Sequence, residues 1–247
     1  MRSVISPAII LRIREFGESD LLVSFFAEDA GRLKGVAKGA RRSRRRFPNC
    51  LDLFCLSRME YVDRGKGDML FLDSCRLINP FAGLRSDFSA LSLGSYMVEL
   101  TEILFPVGVG DRRMFALLRR AFEALDQGER GDRLRVIFEG RAMSLGGYGI
   151  GLECCSRCGR PYEGRGRAVF LRTRGAIGCL RCAKENAMTP SLDPPAMGAL
   201  ALIQSGDWKA LRRMGLGPEV VSQIREVLKL HIAYRLGEKL KTTRYLE

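Results

Sequence analysis

Two short cysteine pairs restrict this chain more than any other feature: Cys155-Ser-Arg-Cys158 and Cys179-Leu-Arg-Cys182, with twenty residues between the inner members. Each pair sets two thiolates on one tight knuckle, and two knuckles make the four-sulfur tetrahedral cage that zinc accepts at about 2.3 Å per bond. The segment between them offers one short strand, AVFL at 168–171, and one turn, PYEGRGR at 161–167. That is too little to bury a core, so metal ligation has to supply the folding energy of the module. Gly159, Gly175 and Gly178 let the backbone curl until its amides face the sulfurs. No histidine lies nearby to build an open catalytic site, so one structural Zn2+ is expected on Cys155, Cys158, Cys179 and Cys182. Cys154 could replace Cys155 by a shift of register, but the two-residue spacing that ends at Cys158 selects Cys155. Cys50, Cys55 and Cys75 lie in a strand-rich region and read as small buried apolar residues.

The module interrupts a chain whose period changes once. Residues 1–80 alternate β-rich runs, AIILRIR, DLLVSFF, RLKGVAK, LDLFCLSRMEYV and DMLFLDSCRLI, with turns such as EDAGR and DRGKGD. Strands at such spacing predict a small closed sheet. From about residue 83 the spacing is helical. Leu84, Phe88, Leu91, Val98 and Phe105 form a first stripe behind a cap at Asp87. Met114, Phe115, Leu118, Phe122 and Leu125 form a second behind Asp111, and Leu134, Ile137 and Phe138 a third that ends in GGYGIG at 146–151. After the module, TPSLDPPA returns to helix, and Pro218 opens a long one with Val221, Ile224, Leu228 and Ile232 on its apolar face. The expected fold is α+β: a barrel over 1–80, a helical bundle domain over 81–150 and 190–247, and a zinc-binding insert over 151–189.

The formal charge of +13 and a pI near 9.7 call for an anionic partner, which in a cytoplasm means nucleic acid before anything else. Segment 81–150 is neutral, with nine basic and nine acidic residues, so the excess sits in the barrel, the insert and the C-terminus. It is densest in KGARRSRRRF at 38–47, on a loop between the third and fourth runs. A charge run of this kind can also be a plain solvated loop. No apolar run is long enough for a membrane helix, and the N-terminus does not read as a signal peptide, so a cytoplasmic protein is expected.

Catalysis finds little support. The lone histidine, His231, sits among apolar helix residues without a nucleophile motif, and the glycines at 108–110 and 146–151 lack the Lys-Ser or Lys-Thr of a phosphate loop. Asp63 with Asp68, and Glu28 with Asp29, read as ordinary turn charges rather than a metal cluster. A binder is expected, not an enzyme.

One resemblance covers nearly the full chain. The run EFGESDLLVSFFAEDAGRLKGVAKGARRSRRRF, then LINPFAGLRSDFSALSLGSYMVELTEIL, LGGYGIGLECCSRCGR, IGCLRCA and YRLGEKLKTTRYLE resembles the RecO family of bacterial recombination mediators. Gly17, Glu18 and Asp20, the run Ala37 to Arg41, and the ordered cysteine pairs carry the match. The resemblance implies an oligonucleotide-binding (OB) barrel, a helical domain with an inserted zinc module, and a nucleoid-associated role in DNA repair and recombination. It further implies binding of single- and double-stranded DNA, annealing of complementary strands, and loading of RecA onto strands coated by single-stranded DNA-binding protein. RecR, RecF and the acidic C-terminal tail of the single-stranded DNA-binding protein are the implied partners. In such a barrel, the loops line the nucleic-acid groove. Phosphate contacts are therefore expected from Lys38, Arg41, Arg42, Arg44, Arg45 and Arg46, extended by Arg32 and Lys34 on the preceding strand. Phe47 is placed either to stack on a base or to anchor the loop. A receptor for the acidic tail should pair arginines with an apolar groove; Arg119, Arg120, Arg133 and Arg135 beside Phe122 and Ile137 are the candidates, each of which also reads as a plain solvated helix charge. A zinc-containing RNA-binding or transcription-associated protein is the rival reading, since phosphate contacts do not distinguish the sugars.

Overall fold

The structure, a computed structural model, describes residues 2–63, 69–186, 188–237 and 240–246. Most of the turn DRGKGD, including Asp68, lies outside these residues, as does the side chain of Asp63. The chain forms two compact units that divide between Glu129 and Arg130.

In the first unit, β1 (Arg2–Phe16), β2 (Asp20–Ala27), β3 (Gly31–Ala37), β4 (Leu56–Asp63) and β5 (Leu70–Asn79) close into a barrel in the order β1-β2-β3-β5-β4. Neighbours are antiparallel except β3 with β5, which run parallel. This is the five-stranded closed sheet of OB-like folds. Alternation with period two sends Ile10, Val23, Phe25, Met59, Tyr61 and Leu72 inward, together with the buried thiols Cys50, Cys55 and Cys75. A bulge lies between Ile10 and Arg12, so that Ile10 pairs with Phe25 but Arg12 with Ser24. The extra residue puts Arg12 and Arg14 on the outer surface.

Three helices complete this unit: α1 (Gly83–Ser86), α2 (Phe88–Leu104) and α3 (Arg112–Asp126). The expected caps are in place, Asp87 accepting from the Ala90 N–H and Asp111 from the Arg113 N–H, both at 2.7 Å. The inner stripe of α3 is the expected one. That of α2 is met in part: Leu84, Val98 and Phe105 are buried as expected, but Phe88 is 68% exposed and Leu91 half-buried, and Leu93, Tyr96, Met97 and Leu100 are buried as well. A helix that is apolar almost all round gives no single stripe to phase it by. The fourth β-run also starts late, at Leu56, because the chain before it turns inward on Cys50, Leu51 and Phe54. Phe54 takes φ 71°, a costly conformation for an aromatic residue, and its ring packs edge-on against Phe122 of α3 at 5.2 Å.

The second unit contains α4 (Asp132–Leu145), a small sheet of β6 (Ala168–Leu171), β7 (Ala176–Cys179) and β8 (Ser191–Leu192) in the order β7-β6-β8, then α5 (Pro194–Ser205), α6 (Trp208–Arg213) and α7 (Pro218–Leu236). Val221, Ile224, Leu228 and Ile232 are buried on α7, which packs on α4 and α5. The segment expected to be one helical domain is thus shared between the units, α1–α3 with the barrel and α4–α7 with the cysteine module. His231 is a core residue: its Nε2–H donates to the Tyr148 carbonyl at 2.7 Å and its ring meets Phe170 edge-on. No helix of the described residues is long and apolar enough to cross a membrane.

Candidate nucleic-acid interface and metal centre

The connection from β3 to β4 begins with Gly39 in a left-handed turn whose N–H donates to Asp20 Oδ1 at 2.7 Å. A single 3-10 turn follows at Ala40–Arg42. Its far end is pinned by Phe47, which is buried in the barrel core, and by the Cys75 N–H donating to the Arg46 carbonyl at 2.8 Å. Phe47 is therefore an anchor, and the arginines between the two fixed points are held out to solvent. They are not equivalent. Arg41 pairs with Glu15 at 3.3 Å, and Arg46 donates to the Lys38 carbonyl and lies over the Phe47 ring. Arg42, Arg44 and Arg45 are exposed, and among the described residues their guanidinium groups have no polar partner. A groove of about 850 Å³ runs beneath, lined by Ile13, Leu21, Arg41, Arg42, Arg44 and Asp52 among others.

Lys34 and Arg32 lie on the outer face of β3, beside two cations the sequence reading did not single out, Arg12 and Arg14 of β1. Cross-strand register aligns them: Arg12 and Lys34 both pair with Ser24, and Arg14 pairs with Leu22. Phe16, 54% exposed, continues the same outer row. The signal was present as the alternation Arg12, Arg14, Phe16, which a strand with period two must put on one face. Arg32 differs from its neighbours. It donates to Glu102 Oε1 at 3.0 Å and to the Glu102 carbonyl at 2.8 Å, while Arg12 holds the other carboxylate oxygen. Glu102 is buried on α2, so it locks Arg32, 16% exposed, in place and leaves Arg12, 49% exposed, on the surface. Close backbone contact fixes the start of the same strand: a Cβ on Gly31 would lie 2.2 Å from the Gly110 Cα. The glycines at 108–110 thus serve as a dock for β3.

The four arginines considered for an acidic tail fall in different units. Arg119 and Arg120 flank Glu123 on α3, at 3.6 and 2.9 Å. Arg133 donates to the Arg212 and Met214 carbonyls, and Arg135 is paired with buried Glu139 at 2.8 Å. Phe122 and Ile137, named as their apolar company, are core residues.

In the insert, the Sγ atoms of Cys155, Cys158, Cys179 and Cys182 all lie within 4.8 Å of one another. The Cys158 and Cys179 sulfurs are 3.8 Å apart, which matches the edge of about 3.8 Å of a tetrahedron with 2.3 Å bonds. Cys154 is exposed and takes no part. The Cys179 N–H donates to the Cys155 sulfur at 3.3 Å, and Arg157 and Arg174 brace the knuckles by donating to the Cys182 and Ser156 carbonyls. Burial works to raise the Cys155 thiol, but the backbone N–H groups of Cys158, Cys179 and Arg157 outweigh it and hold it down at about 6. Cys182 is pushed up to about 12, chiefly by hydrogen bonding with the Cys179 and Cys158 sulfurs. A cage of four thiols ionises fully only around a cation, and the donor set suits a soft divalent metal.

Two family descriptions and several full-length relatives match the chain. The family described as "Recombination protein O N terminal" matches residues 1–81, and "Recombination protein O C terminal" matches residues 85–244. The chain is 30% identical to the DNA repair protein RecO of Syntrophus aciditrophicus (strain SB), over 98% of this chain and 94% of the relative. It is 33% identical to that of Desulfatibacillum aliphaticivorans, over 100% and 97%, and 32% identical to that of Anaeromyxobacter sp. (strain K), over 97% and 94%.

Proposed function

Because this chain belongs to the RecO family of DNA repair and recombination proteins, mediators rather than enzymes, we propose that it binds single- and double-stranded DNA through its barrel and anneals complementary strands. The observation that carries the reading is the anchored loop between β3 and β4, which holds the guanidinium groups of Arg42, Arg44 and Arg45 in water, without a polar partner among the described residues. A guanidinium already paired has little to offer a phosphate; an unpaired one replaces condensed counterions, and their release drives binding. The outer row of Arg14 and Lys34 extends the track, with Phe16 as a stacking platform, while Arg12 beside them is held by Glu102. Arg41 and Arg46 contribute after exchanging weak internal partners, while Arg32 acts chiefly by holding β3 against Glu102. None of these contacts reads a base edge, so binding is insensitive to sequence.

Annealing needs no bond chemistry, only relief of the repulsion between two polyanions. The cysteine cage holds one structural zinc ion, which supplies the folding energy of the insert and takes no part in a reaction. By family analogy the protein acts with RecR, RecF and the acidic tail of the single-stranded DNA-binding protein to load RecA. The tail's acids are assigned first to Arg119 and Arg120, which share the single carboxylate of Glu123 among the described residues. Fluorescence annealing of complementary strands, with matched RNA as the comparison, tests the reading; a protein that binds no DNA, or prefers RNA, overturns it.

A further inference from the structure

We infer that the cysteine module carries a second site for the phosphate backbone of a single-stranded polynucleotide, formed by Arg160, Arg165 and Arg167 around Tyr162. Its biological meaning rests on the annealing reading above, but the site stands on its own geometry. Residues 151–190 hold eight basic and three acidic residues, and six of the seven arginines, all but Arg181, fall into two groups. Arg157 and Arg174 are consumed in bracing the cysteine knuckles, and Arg172 lies over the Tyr234 ring. Arg160 and Arg165 are exposed and, among the described residues, their guanidinium groups have no polar partner. Among the described residues the Arg167 guanidinium has only Glu185 at 3.5 Å, at the limit of useful geometry.

These three open cations converge on one cavity of about 340 Å³. Tyr162 forms part of its wall. Its hydroxyl donates to the Gly166 carbonyl at 2.9 Å and its N–H to the Glu153 carbonyl at 2.8 Å, so the ring is fixed before any ligand arrives. Gly164 and Gly166, at φ 74° and 72°, provide the left-handed turns that present Arg165 at the tip. Guanidinium groups beside a fixed aromatic ring match a phosphate and its base. An acidic peptide with an apolar end would need an exposed aliphatic groove, and of the apolar lining residues Ala168 and Ile177 are buried, which leaves Pro161 alone exposed. Each compact unit then has a strand site of its own, and one chain can hold two strands at once.

The test uses the full chain carrying R160A, R165A and R167A together, with zinc content as the control for folding. Two non-complementary oligothymidylates bearing different dyes are sedimented with it. Wild type should carry two strands per chain and the variant one, and the log-log salt slope on single strands should fall by about 2, from three contacts at about 0.7 each. Two strands per chain with an unchanged slope in the variant would overturn the inference. Should the triple variant lose its metal, Arg165→Glu on the exposed turn replaces it, with an expected slope loss of about 1 and refutation by no change. A peptide ending in acidic residues that binds wild type but not the variant, while strand stoichiometry stays at two, assigns the cavity to a protein partner and also overturns it. Loss of one strand in the module variant, but none on substitution of Arg42, Arg44 and Arg45, leaves this site standing and removes the arm from the DNA path.

Discussion

Replacing Arg42, Arg44 and Arg45 together by alanine separates the DNA contacts of the arm from its role in the fold. All three side chains are exposed and have no polar partner among the described residues, whereas the anchors of the loop, Phe47 and the Cys75 to Arg46 hydrogen bond, are untouched. Stability should therefore change little, by about 0.5 kcal/mol or less. Three phosphate contacts contribute about 2.1 to the log-log salt slope on single strands and about 2.7 on duplex. Over a rise from about 50 to about 200 mM salt, the single-strand term alone is worth a factor of about 18 in affinity. Fluorescence anisotropy of labelled oligothymidylate across that range should show both a weaker complex and the flatter slope, and mixed-sequence strands should lose the same amount. An unaltered slope with an unaltered thermal midpoint would refute the reasoning, because the arm would then be solvated in the complex as well.

Cys158→Ser should release the metal and lower the protease resistance of the insert while the barrel's near-ultraviolet signal persists, which elemental analysis and limited proteolysis would check. Phe122→Ala removes the ring that packs edge-on against Phe54 and Phe81, and chemical denaturation should show a loss of about 3–5 kcal/mol. Glu102→Gln leaves Arg32 without its buried carboxylate, so stability should drop by about 3 kcal/mol while freed Arg12 steepens the DNA salt slope. Burial depresses the His231 pKa below its ordinary value. The unfolded chain then takes up a proton that the folded one refuses, so stability should fall as pH drops below about 6.5, and His231→Gln should lessen that acid-side loss in urea titrations at several pH values.

The sequence displayed most clearly those features whose cause is local. Spacing alone selected Cys155 over Cys154, because a knuckle with two intervening residues is a short-range geometry. Asp87 and Asp111 were legible as caps, and α3 as a stripe, since each needs only its own turn of helix. What stayed hidden depends on partners distant in sequence. The exposure of Phe88 follows from α2 being covered on most sides, and Arg32 is held by Glu102 seventy residues away. That Arg12, Arg14 and Phe16 share one face was legible as alternation, but which face they take depends on a bulge at Leu11 that no residue preference announces. The division of the helices between two units likewise reflects packing across long separations, which periodicity does not encode.

The most direct test of the account is annealing of complementary strands already coated by the cognate single-stranded DNA-binding protein, followed by energy transfer between end labels. The wild-type chain should accelerate it well above the spontaneous rate, and the variant lacking Arg42, Arg44 and Arg45 should lose most of that acceleration while keeping its zinc and its helical signal. A wild-type rate no faster than the protein-free control, or a variant as fast as wild type, would contradict it.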